Sequence, residues 1–187
     1  MADDNKLSST DTNAKKTTRG SRLRSGNPVP DSLRVALVGP AEVLETKTLA
    51  KEIQKILTSL GHHVEMMLAA RTAWEPTPKE GLDSNIAHDA DLVIVLGGDG
   101  SILRTARWMG YHQTPVLGVN LGRLGFLADF SPNEVELAIN ELIAGRFRLV
   151  EHMMFETCVI RKNKIVARGL GLNETSLLAG PPFSLFE

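Results

Sequence analysis

Cysteine is all but absent: Cys158 is the only one in 187 residues, so no disulfide can form within the chain, which suits a reducing compartment. Long apolar runs are missing too. The longest, such as Leu92–Leu96, are far too short to span a bilayer, which takes about 20 residues. The first residues contain no apolar stretch of the kind that directs secretion, and Asp3, Asp4 and Asp11 argue against a mitochondrial-type presequence. By elimination the expected location is the cytoplasm. No excess of either charge is present, since the formal net charge is −1, so neither nucleic acid nor a membrane surface is expected as a partner. No internal repeat is found.

What is present is ordinary globular composition, 42% hydrophobic and 23% charged, enough chain for one good core. Residues 1–31 are mostly Ser, Thr, Asn, Asp, Lys and Arg. Such a segment offers little surface to bury against the entropy of ordering it, so a disordered tail is expected. Order is expected from Leu33–Gly39, a β-prone run. A helical face with Leu49, Ile53, Ile56, Leu57 and Leu60 follows and stops at Gly61. His63–Leu68 reads as a strand and Arg71–Ala87 as a loop. Leu92–Leu96, apolar throughout, reads as a strand covered on both faces, as in parallel sheets. Ser101–Met109 then reads as a helix and Pro115–Val119 as a strand. Ser131, Pro132 and Glu134 form the opening of a further helix that ends at Gly145.

Strand and helix in alternation predict an α/β domain over residues 32–146, with a Rossmann-like parallel sheet and helices. From residue 147 the pattern changes. Phe147–Val150, Phe155–Arg161 and Ile165–Leu170 read as strands, with a turn at Lys162–Lys164 and no helix. Residues 147–187 are therefore expected to be the start of an incomplete all-β second domain. Met66, Met67, Met153 and Met154 are expected to fill gaps in the core, as is Trp108, and Cys158 is expected to be a small buried hydrophobe. His62 and His63 have no second ligand set nearby, and no metal site is assigned.

Three glycine-bearing segments carry the chemistry. Gly97-Gly98-Asp99-Gly100 joins the apolar strand to a helix start, the place where open α/β sheets bind ligands. Glycines there bring backbone N–H groups close to phosphate oxygens. A carboxylate among them needs a metal to hold or a hydroxyl proton to accept. The plainer alternative is a tight turn in which Asp99 caps the helix starting at Ser101. Leu117–Leu127 has three glycines in eleven residues but neither the dinucleotide fingerprint nor the P-loop spacing, and could be a close-packed strand exit. Gly169-Leu170-Gly171-Leu172-Asn173-Glu174 places an amide beside a carboxylate, which suits the polar edges of a sugar or base or, more plainly, a strand-to-turn junction.

In this order, Gly97–Gly100, Leu117-Gly-Val-Asn-Leu-Gly-Arg-Leu-Gly-Phe-Leu127 and Leu172-Asn173-Glu174 resemble signature blocks of the NAD kinases. The resemblance runs from about Leu33 to Leu178, is weak between His62 and His88 and does not reach the tail. It implies transfer of the γ-phosphoryl of ATP to the 2′-hydroxyl of the adenosine ribose of NAD, with a divalent metal, magnesium, as cofactor. It implies that Asp99 accepts the hydroxyl proton and that Asp99 and Gly100 lie against the dinucleotide. Arg104 matches a basic position that contacts the nucleotide, and Asn173 and Glu174 match the pair that holds the adenosine half of NAD. Gly97, Gly98, Gly122, Arg123 and Gly125 are the candidates for the ATP phosphates. Members carry a further Gly-, Ser- and Thr-rich block and a carboxylate-bearing segment in the second domain, and form homo-oligomers. The chain stops before any such block, so a truncated second domain, not active alone, is expected. Two other readings stand beside this one. One is a non-catalytic fragment. The other is a lipid or sugar kinase of the wider Gly-Gly-Asp-Gly group, which shares the loop but not Leu121–Phe126.

Overall fold

The computed structural model describes residues 23–69, 89–122 and 125–172. Strand β1 (Arg34–Pro40) leads into helix α1 (Leu44–Ser59) and strand β2 (His63–Ala69). Strand β3 (Leu92–Leu96), helix α2 (Asp99–Met109) and strand β4 (Val116–Val119) follow. A 3-10 turn, Pro132–Glu134, opens helix α3 (Val135–Ile143). Strands β5 (Phe155–Arg161) and β6 (Lys164–Gly171) complete the set. The first four strands form one parallel sheet in the order β2-β1-β3-β4, and β5 pairs with β6 in an antiparallel hairpin.

The continuous apolar run of β3 is explained by its place in this sheet. All five of its residues are buried, and successive side chains point to opposite faces. Leu92, Ile94 and Leu96 join a core that includes Leu49, Ile53 and Leu57 of α1 and Val135, Ile139 and Leu142 of α3. Val93 and Val95 join a second core with Ile102 and Met109 of α2. The sheet thus separates two helical layers, α1 and α3 on one face and α2 on the other.

Both expected glycine stops have the same bonding. After α1 the His62 N–H reaches the Leu57 carbonyl at 3.0 Å and the Gly61 N–H the Thr58 carbonyl at 3.1 Å. After α3 the Arg146 and Gly145 N–H groups do the same to Glu141 and Leu142, at 2.8 and 3.0 Å. Gly61 and Gly145 sit at φ +84° and +74°, the left-handed cap geometry this bonding requires. At the opening of α3, the Glu134 carboxylate accepts from the Ser131 N–H at 2.9 Å and its hydroxyl at 2.7 Å.

The structure differs from expectation in several places. Packing starts well inside the segment expected to be a tail: Leu23 is 2% exposed and belongs to the first core, with Val29 against it. Phe147–Val150 is not a strand. There the Leu149 N–H donates to the Ser25 hydroxyl at 2.8 Å and Phe147 leans on the first core, so a side chain and a packing contact replace a ladder. Cys158 is exposed, because β5 and β6 form only a two-stranded ribbon in the described residues. Of the four methionines expected to fill the core, Met66 and Met153 are exposed, the first on an edge strand of the sheet. Trp108 is partly buried against the second core. The hairpin turn is the expected one, shortened to two residues: Lys162 and Asn163 take φ +50° and +57°, which matches the twist of the strands it joins. The expected loop Arg71–Ala87 lies outside the described residues.

Candidate functional site

Strand β3 ends at Leu96, and its next residue is tied to β4 by the Gly97 N–H donating to the Val119 carbonyl at 2.9 Å. Gly97 takes φ +145° and a Cβ there would lie 2.3 Å from the Ser101 hydroxyl. Only glycine makes this turn without displacing the start of α2. Gly98 is extended and serves as N-cap, so α2 starts at Asp99, two residues before Ser101.

The Asp99 side chain does not cap that helix. It reaches across to the second glycine-rich segment, where its Oδ2 accepts from the Phe126 N–H at 2.8 Å. Its Oδ1 accepts from the N–H groups of Leu127 at 3.0 Å and Ala128 at 3.4 Å. The Phe126 N–H first and then that of Leu127 hold the carboxyl below its usual range; burial opposes them, and the Ala128 N–H adds a smaller lowering. The turn they belong to is fixed to the sheet: the Phe130 N–H donates to the Gly118 carbonyl and the Asn120 N–H to the Phe130 carbonyl, at 3.3 and 2.7 Å. Two motifs that are separate in sequence are therefore one structure. Sequence reasoning missed the N–H groups of Phe126–Ala128, which carry no side-chain signature; the adjacent Gly125 was the available hint.

The other candidates divide. Gly97, Gly98, Asp99, Gly100 and Gly125 come together at the carboxyl end of β3. Arg104 is half-buried on α2, about 7.5 Å along the helix axis from Asp99 at a rise of about 1.5 Å per residue. Gly122 has its N–H committed to the buried Asn120 side chain at 2.9 Å. It lines a groove of about 540 Å³ between α1 and the Asn120–Gly122 turn, whose wall carries Glu45 and Glu52. Two carboxylates there oppose a phosphate. Arg123, Asn173 and Glu174 lie outside the described residues; β6, which leads to the last two, packs against α2.

A second polar cluster joins that hairpin to the end of α2. The Glu156 carboxylate accepts from the Tyr111 hydroxyl, the Arg168 guanidinium and the Cys158 thiol. Its bond with Glu156 raises the Cys158 pKa, which makes the thiol a poorer nucleophile despite its exposure. Among the described residues no group of three His, Cys, Asp or Glu side chains could hold a metal ion, and no helix is long and apolar enough to cross a membrane.

A family model described as the ATP-NAD kinase N-terminal domain matches residues 35–147. An NAD kinase of Rhodopirellula baltica is 38% identical over 155 residues, 82% of this chain and 46% of the relative. One of Chromohalobacter salexigens is 44% identical over 108 residues, 58% of this chain and 37% of the relative. The chain thus spans less than half the length of these two curated relatives. A crystal structure of yeast NADH kinase complexed with NADH matches 78% of this chain and 47% of its own, at TM-score 0.53 and 23% identity, and shows likeness of fold.

Proposed function

Since the chain belongs to the NAD kinase family, we propose that it phosphorylates NAD, with Asp99 as the group that meets the acceptor hydroxyl. The observation that carries the proposal is the placing of the Asp99 carboxylate at the carboxyl end of the central strand and the start of α2, where two glycine-rich turns meet. In the reaction the 2′-oxygen of the adenosine ribose bonds to the γ-phosphorus of ATP. The bond from that phosphorus to the β–γ bridging oxygen breaks, ADP leaves, and the hydroxyl proton passes to Asp99. A carboxylate of low basicity suits this role, because in a loose phosphoryl transfer the proton leaves late and little basicity is demanded. Positioning and charge neutralisation supply the rest.

Arg104, more than a turn into α2, is the proposed cationic partner of nucleotide phosphates lying at the N-terminal end of that helix, where its dipole also favours anions. Gly100 is proposed to lie against the dinucleotide, and Asn173 and Glu174 to hold its adenosine. Gly97, Gly98 and Arg123 are proposed to border the phosphates, and Gly125 to stand against the Asp99 carboxylate. Gly122 is the weakest of these candidates, given its committed N–H and the acidic groove. The divalent cation is proposed to arrive as the magnesium salt of ATP and so as part of the substrate. Residues 32–146 form the proposed nucleotide domain and residues 147–187 the start of the NAD-binding one. A cytoplasmic location and self-association complete the reading.

The test supplies the purified protein, in a form extended through a complete second domain, with ATP, NAD and magnesium and follows NADP with an NADP-specific dehydrogenase. NADP formation that disappears in Asp99→Asn supports the proposal. Phosphorylation of a diacylglycerol or a free sugar, with NAD left unchanged, would overturn it in favour of a wider Gly-Gly-Asp-Gly kinase.

A further inference from the structure

The turn that holds Asp99 begins at a residue with no room for a side chain. A Cβ on Gly125 would lie 2.2 Å from Oδ1 of Asp99, 2.4 Å from its Cγ and 2.5 Å from Oδ2. All three atoms belong to one carboxylate, and that carboxylate is not a loose end that can swing aside. Its oxygens are bound by the N–H groups of Phe126, Leu127 and Ala128, on a turn that is itself bonded back to β4 through Phe130. Any Cβ at 125 therefore forces the carboxylate off its donors or opens the turn.

We infer that Gly125 is a positioning residue for Asp99: lacking a side chain, it lets the Gly125–Ala128 turn close over the carboxylate and fix it by three peptide N–H groups. The inference rests on the reading of Asp99 as the proton-accepting group. The glycine then serves the carboxylate and not a phosphate directly, a different task from the one its glycine-rich surroundings suggest. Held in this way, Asp99 keeps one orientation before any substrate arrives, and its charge persists to lower pH than that of a free aspartate.

The experiment reads the carboxylate itself. The side-chain carboxyl carbon of Asp99 is identified in the ¹³C spectrum of the native chain by its loss in Asp99→Asn, and is titrated with pH. Its midpoint is expected below the usual value of about 3.9. In Gly125→Ala the midpoint is expected to rise to that value or above, while the amide signals of β3 stay in place. A midpoint unchanged by Gly125→Ala overturns the inference. If Gly125→Ala does not fold, the pair Asp99→Ala and Asp99→Ala/Gly125→Ala decides. The double variant should melt with the single one, because the obstructing atoms are gone; a further large loss of stability overturns the inference. In turnover, Gly125→Ala should lower kcat roughly a hundredfold, as expected for a displaced reacting group, with KM for both substrates unchanged. Absence of NADP formation by a form extended through a complete second domain would instead refute the kinase reading, a result separate from the titration.

Discussion

Gly97→Ala should destabilise the domain by two separable effects. The backbone part comes from φ +145°, which an alanine adopts at a cost of about 1–3 kcal/mol. The packing part comes from the new Cβ, which would stand 2.3 Å from the Ser101 hydroxyl and 2.9 Å from its Cβ. The hydroxyl can rotate away, but the Ser101 Cβ can retreat only with the first turn of α2, at a cost of about 1–3 kcal/mol. Together the expected loss is roughly 2–6 kcal/mol, a large part of the ~5–15 kcal/mol that holds a typical domain. Ser101→Gly removes both obstructing atoms and leaves the backbone part. The same Gly97→Ala change made in Ser101→Gly should therefore cost only about 1–3 kcal/mol. Urea unfolding followed by circular dichroism, with all four proteins measured together, gives the two differences. The reasoning is refuted if Gly97→Ala costs nothing measurable in the native chain, or if its cost is the same in both backgrounds.

Asp99→Asn should lower kcat by roughly a hundredfold or more, the scale of lost general-base catalysis, as read by the coupled NADP assay. It should also flatten the acid limb of stability. The folded pKa of Asp99 is depressed, so its contribution is present above the unfolded value and lost as pH falls through the folded one; melting temperatures between pH 5 and 2 check this. His62 is buried, its Nδ1 accepts from the Leu33 N–H at 3.2 Å, and burial lowers its pKa from 6.5. The unfolded chain therefore takes up a proton that the native one resists, so stability should fall as pH drops below 6.5. Urea midpoints at several pH values should show a shallower fall in His62→Gln. Leu23→Ala should cost about 2–5 kcal/mol in urea unfolding, as for other buried leucines; a neutral result would remove residues 23–31 from the domain. Glu174→Ala should raise KM for NAD far more than that for ATP, and an equal rise in steady-state assays would contradict a nucleoside role.

Much of the α/β domain could be read from the sequence because its signals are local. The unbroken run Leu92–Leu96, the spacing of Leu49, Ile53 and Leu57, and the glycines after two helices each report on their own neighbourhood. The Gly-Gly-Asp-Gly turn was legible as a turn with a carboxylate. Where that carboxylate points was not, because its partners are peptide N–H groups 27–29 positions away. Backbone donors have the same chemistry under every side chain. Leu23 escaped notice for a similar reason: a single leucine in a polar stretch has no period, and only the tertiary core gives it a place. Cys158 was misjudged because a position in the middle of a strand suggests cover, and the described ribbon leaves most of both faces open.

The way the β5–β6 hairpin is held has a consequence for how the molecule breathes. Val159, Ile160, Ile165 and Val166 are all exposed, and the ribbon meets α2 through β6, and Tyr111, just beyond that helix, through the charged hub at Glu156. Opening it exposes little new apolar surface, whereas parting β1 from β3 exposes the centre of both cores. Amide hydrogens of β5 and β6 should therefore exchange with solvent through a local opening of low free energy, and those of β1 and β3 only through global unfolding. Urea should accelerate exchange in the sheet steeply and exchange in the hairpin hardly at all, so that one chain shows two cooperative units.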